Sequence, residues 1–176
     1  MSRLSILLSV IFIIPFLFVS CGKPKPDGLP RLYPTRLTVT QDGVPLPGAL
    51  ITLKPNDSSL SFSCGGMTNE NGVVEIQTHG QYAGVPEGKY KVIANKSETI
   101  KSGPWDEMPK DNESAALTWY HENQDKLKEE HFYVIDAKYR NPQTTDLEIT
   151  VTSAGLETTV ELGPAVHDQV DASDFR

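Results

Sequence analysis

Three hydrophobic regimes follow one another along the chain. Leu4 to Val19 is an almost unbroken apolar run, preceded by Met1-Ser2-Arg3 and followed by Ser20-Cys21. From residue 22 to 34 there is no period; Pro24, Pro26, Pro30 and Pro34 punctuate a stretch rich in Gly, Lys and Asp. Beyond it, apolar and polar positions alternate every second residue, as in strands with one buried face. Arg36–Thr40, Ala49–Leu53, Cys64–Thr68, Val73–Gln77, Lys89–Ala94, Asp146–Thr152 and Glu157–Leu162 all carry strand patterns. Asp42-Gly43, Asn69-Glu70-Asn71-Gly72 and Ser153-Ala154-Gly155 separate them, and Gly in such turns accepts positive φ without a Cβ penalty. Seven short strands, with no helix between the early ones, predict an all-β fold: one antiparallel seven-stranded β-sandwich spanning residues 35–163.

One interval interrupts the alternation. Between Lys96 and Asn141, residues 96–141, Asn112-Glu113-Ser114 offers helix-capping side chains, and Ala115 to His131 holds good helix formers without Pro or Gly. Leu117, Tyr120, Gln124, Leu127 and His131 fall at helical spacing but give only a narrow apolar stripe. The expectation is a single surface helix inserted between two strands and packed lightly on one sheet. The polar, acidic stretch 164–176 is expected to be disordered.

The N-terminal run is too short to span a bilayer. As a helix at about 1.5 Å per residue it reaches roughly 24 Å, against a hydrocarbon core of roughly 30 Å. Charge, apolar stretch, small residue and processing point, in that order, describe an export signal over residues 1–21. Leu17-Phe18-Val19-Ser20-Cys21 resembles a bacterial lipobox, with Phe18 and Val19 departing from the usual Leu and small residue. The resemblance implies that Cys21 takes a diacylglyceryl group as a thiolate and becomes the membrane anchor. Two or more acyl chains give stable anchoring. Gly22 behind the cysteine, rather than Asp, implies the outer membrane of the cell envelope. Residues 22–34 then serve as a semi-extended tether.

Charge narrows the partners. The chain carries a net −7, and loss of Arg3 with the signal makes the mature domain more acidic still. That balance argues against nucleic acid and against anionic lipid beyond the anchor. Cys64 is the only other cysteine; with Cys21 acylated no intramolecular disulfide forms, and Cys64 is expected as a small buried hydrophobe.

The turn motifs point to a family. Asp42-Gly43-Val44-Pro45-Leu46-Pro47-Gly48-Ala49 lies between two strands. Thr68-Asn69-Glu70-Asn71-Gly72 and Val85-Pro86-Glu87-Gly88-Lys89-Tyr90-Lys91-Val92 follow, and Lys138-Tyr139-Arg140-Asn141-Pro142-Gln143-Thr144-Thr145 precedes the last two strands. Together these resemble the carboxypeptidase regulatory-like, or transthyretin-like, domain of small planctomycete-type bacterial lipoproteins. The resemblance spans roughly Thr35 to Leu162. It implies a Greek-key, Ig-like sandwich with a structural or adhesive role and no assigned catalysis. In physical terms the motifs are architectural: Pro45 and Pro47 fix φ between strands, and Gly48 lets the chain cross between sheets.

No catalytic constellation assembles from the remaining residues. His121 and His131, if both helical, point about 280° apart, unlike the i, i+4 pair of a zinc site. His79-Gly80-Gln81-Tyr82 lies in a loop, and the C-terminal signature of transthyretin-like hydrolases is absent, Ser173-Asp174-Phe175-Arg176 standing in its place. Tyr133, Tyr139, His121 and His131 supply the residue types of an intradiol iron site without its spacing. Asp57, Asp106, Glu107 and Asp111 do not form an EF-hand loop. The expectation is a non-enzymatic module with no cofactor and no metal. Trp105, Trp119, Tyr120, Phe132 and Tyr133, clustered in or beside the insertion, are the candidate contact surface for a protein or glycan partner in the envelope. The alternatives are that they only pin the insertion to the sheets, or that the domain is a carbohydrate-binding module or a metal-dependent enzyme on the same scaffold.

Overall fold

The computed structural model describes residues 26, 28–58 and 60–170. The export segment, Cys21, much of the tether and residues 171–176 lie outside the described residues, and the expectations placed on them stand outside the fold described below. Among the described residues no helix is long and apolar enough to cross a membrane.

The protein is all-β in character, and each of the seven segments with alternating apolar positions contains a strand. We number the main ones β1 (Thr35–Gln41), β2 (Leu50–Pro55), β3 (Cys64–Met67), β4 (Val73–Glu75), β5 (Gly88–Asn95), β6 (Ser97–Ser102), β7 (Lys128–Tyr133), β8 (Glu148–Val151) and β9 (Leu156–Glu161). The helices are α1 (Glu113–Asn123) and α2 (Ala137–Arg140). One sheet runs β8-β5-β2-β3 and continues through the short pair Gln77–Thr78 and Tyr82–Ala83, antiparallel throughout. The other is built on β1, which pairs with β9, with β4 and with Val44–Pro45. The β1–β2 connection begins as expected, with Asp42 at φ 51° and Gly43 at φ 74° closing a tight turn.

Alternation on β1 buries Leu37 and Val39 and turns Arg36 to solvent. The buried sides of both sheets meet in one core, with Leu37 and Val39 against Ile51, Leu53, Val74, Ile76, Tyr90, Val92, Val151 and Val160. Each such aliphatic side chain contributes about 1.5–3 kcal/mol relative to exposure. Cys64 is buried and free, as expected, with its Sγ 3.4 Å from Thr78 Oγ1; burial pushes its thiol pKa up.

Four expectations are corrected. The strands are not all antiparallel: β9 lies parallel to β1, because Leu156 donates to the Pro34 carbonyl and both strands start from the same end. The tether is shorter than residues 22–34, since Leu32–Tyr33 pair with Val85–Pro86. Residues 164–170 are ordered against the domain: Asp168–Gln169 pair with Phe132–Tyr133, Val166 N donates to Val134 O at 3.1 Å, and Val170 N donates to His131 O at 3.0 Å.

The fourth correction concerns the insertion. It is a two-stranded arm, not a lone helix on a sheet. β6 follows β5 across the single residue Lys96 and pairs along its whole length with β7. The helix caps the far end of this ribbon and buries no residue. Asn112 caps it as expected, accepting from Ala115 N. The helix stops at Asn123, followed by one 3₁₀ turn over Gln124–Lys126, so residues expected to be helical up to His131 are extended. Ser97–Ser102 supplies the ladder that Lys128–Tyr133 completes, and pairing overrides local helix propensity.

Candidate functional site

The arm divides the five expected contact residues into two groups. At the tip, Trp105 lies in a 3₁₀ turn immediately after β6, and Trp119 and Tyr120 lie on α1. The Trp105 and Tyr120 rings are 6.4 Å apart and tilted by 45°. Trp105 Nε1 donates to Ser102 O at 3.1 Å, fixing the indole, and Lys101 Nζ lies 4.5 Å from its centroid. Lys101 is held in turn by Glu129 across the ribbon, at 2.8 Å. Trp119 is half-buried, whereas Tyr120 is 41% exposed, Leu117 56% and Ile100 on β6 44%. These exposed apolar groups are carried on a strand and a helix that bury nothing.

At the root the picture reverses. Phe132 is only 7% exposed, and the ring of His167 stacks on it at 3.8 Å with 26° between planes. Tyr133 is half-buried, with the Arg140 guanidinium 3.8 Å over its ring. Phe132 and Tyr133 therefore fasten the arm to the domain and leave the contact surface to the tip. The reason is the tail: Asp168–Gln169 cover the free edge of β7 just where these two residues lie.

The histidines expected on one helix lie on different elements, His121 on α1 and His131 on β7, where its Nδ1 is 2.9 Å from Thr99 Oγ1. Among the described residues, no three His, Cys, Asp or Glu side chains converge on one point. His79 packs edge-on against Phe62 at 6.3 Å.

Sequence reasoning missed Arg140 and Asp168 as partners at the root of the arm, beside Asn95. Arg140 Nη2 meets Asp168 Oδ2 at 3.3 Å. The partners are far apart in the chain and neither carries a periodic signal, so only the fold brings them together. Comparison of the chain with protein-family models, with curated proteins and with solved structures finds no match.

Proposed function

We propose that this chain is a lipid-anchored, non-catalytic module of the cell envelope. Acylated Cys21 holds it at the outer membrane, and its β-arm presents an aromatic tip to a protein partner. The fold we assign is a seven-stranded Greek-key sandwich of the transthyretin-like, carboxypeptidase regulatory-like kind. Two features support that assignment: the seven expected strands surround one core, and the Tyr90 hydroxyl bonds back to the Pro86 carbonyl at 2.8 Å. A tyrosine that reaches back a few residues in this way is the corner typical of Greek-key sandwiches.

The observation that carries the binding reading is the exposure of Ile100, Leu117 and Tyr120 on β6 and α1, the two elements of the arm that bury no residue. Clustered exposed apolar groups on a projecting element mark contact sites. The 45° tilt between Trp105 and Tyr120, with Lys101 over one indole face, favours a protein contact over a sugar platform, which uses open, coplanar rings.

The anchor and the contact are tested separately in cells making the full chain. Globomycin should accumulate the precursor, and the mature N-terminus should be Cys21 carrying the diacylglyceryl mass; an unmodified start would overturn the anchor. A photo-crosslinking residue at Leu117 should give a discrete adduct that disappears with Tyr120→Ala, and one at Lys54 should give none. Equal labelling at both positions, or none at either, would sink the contact reading.

A further inference from the structure

At the root of the arm, β5, β7 and α2 border an open cavity of about 490 Å³ lined by Asn95, Tyr133, Ala137, Arg140 and Asn141. Its chemistry is dominated by donors. The Arg140 guanidinium lies 3.8 Å over the Tyr133 ring, and among the described residues only its Nη2 is engaged, by one oxygen of Asp168 at 3.3 Å. Its Nε is shielded from solvent and has no acceptor among the described residues. Asn141 is oriented as a donor as well: its Oδ1 already accepts from Gln143 N at 2.8 Å, leaving the amide nitrogen for another partner. The Asn95 side-chain amide, at the end of β5, makes no hydrogen bond among the described residues. A cavity with a preorganised guanidinium fork, amide donors and a phenol calls for a ligand that brings oxygen acceptors in a plane.

We propose that this cavity binds a small carboxylate, seated on Arg140 and assisted by Asn95 and Asn141. Asp168 is then an internal competitor: its carboxylate occupies part of the guanidinium and weakens binding of the incoming one. Because Asp168 belongs to the segment that covers the edge of β7, an occupied cavity loosens that segment at the arm root. The site is independent of the anchor at Cys21 and of the tip contact.

The test uses the full chain in neutral detergent, labelled at its arginines. The Nε–H signal of Arg140, slow to exchange because it is shielded, is followed by NMR during titration with succinate or glucuronate at constant ionic strength. A saturable shift at Arg140, with Arg31 and Arg36 unmoved, is expected at millimolar ligand. Response to succinate alone identifies a free diacid as the ligand type, and response to glucuronate alone a sugar acid; either supports the site. Asp168→Asn should tighten binding by about fivefold or more, since it removes the competing charge, and Asn95→Ala should weaken it. An equal shift with chloride, no saturable shift, or unchanged affinity in Asp168→Asn with Arg140 still well dispersed would overturn the proposal.

Discussion

The Tyr90 hydroxyl donates to the Pro86 carbonyl at 2.8 Å from a ring with no exposed surface. The bond joins the start of β5 to the short strand before it and satisfies a carbonyl from a buried residue. Tyr90→Phe keeps the ring and removes the donor. It should cost about 1–3 kcal/mol, read from the urea midpoint with the m-value unchanged.

The same phenol predicts an alkaline limit. Burial, with a smaller contribution from Cys64, pushes its pKa up to about 12 from an ordinary 10. A raised folded-state value means that the stabilisation is complete below pH 10 and is lost as pH rises toward 12, where the unfolded chain ionises first. Stability should fall across that window in the native chain, and the fall should be smaller in Tyr90→Phe. Chemical denaturation at several alkaline pH values would check it.

At the acid end the relevant group is Glu161, which closes the turn after β1. Thr40 Oγ1 donates to it at 2.7 Å, Gly163 N at 3.0 Å and Gly43 N at 3.2 Å. These bonds, the hydroxyl first, hold its carboxyl below the usual range. A depressed folded-state pKa contributes stability above the unfolded value and loses it as pH falls through the folded one. Glu161→Gln should therefore be less stable than the native chain at neutral pH, and the two should converge in acid. Thermal unfolding of both proteins across the acid range would measure it.

How much of this was legible in the sequence depends on where each residue finds its partner. β1 and β5 declare themselves, because every second side chain goes into one core and the pattern is local. Cys64 is similarly legible as a small apolar residue with no disulfide partner. The arm is not. Lys128, Glu129, Glu130 and His131 are helix-forming or neutral by propensity and all exposed, and their strand identity comes from Ser97–Ser102 across the ribbon. Arg140, in the motif that precedes the last two strands, becomes part of a cavity only through Tyr133 and Asp168. Aromatic type alone did not separate Phe132 from Tyr120, because burial here is set by the tail segment covering β7.

Gly103 governs the junction between β6 and the tip. It adopts φ 108°, and a Cβ there would meet the Lys126 carbonyl oxygen. Gly103→Ala is strained whichever way the junction relaxes, at a cost on the order of 1–3 kcal/mol. Since the tip adds nothing to the core, the cost should appear locally. Hydrogen exchange should accelerate over Glu113–Asn123 while the amides of β2 and β5 keep native protection; uniform acceleration would show that the tip is not an independent unit.

The division between root and tip makes opposite predictions for two apolar residues of the arm. Phe132 is packed in the core cluster and stacked by His167, so Phe132→Ala should cost about 3–5 kcal/mol. Leu117 faces solvent on an element that buries nothing, so Leu117→Ala should change stability by less than about 0.5 kcal/mol. A partner bound at the tip reverses the ranking for binding: Leu117→Ala should weaken the contact while the fold stands, and Phe132→Ala should weaken it only in proportion to unfolding. Urea titration of both variants, paired with crosslinking yield at the tip, separates the two effects. A large stability loss from Leu117→Ala would mean that α1 is packed on the domain and is not held away from it.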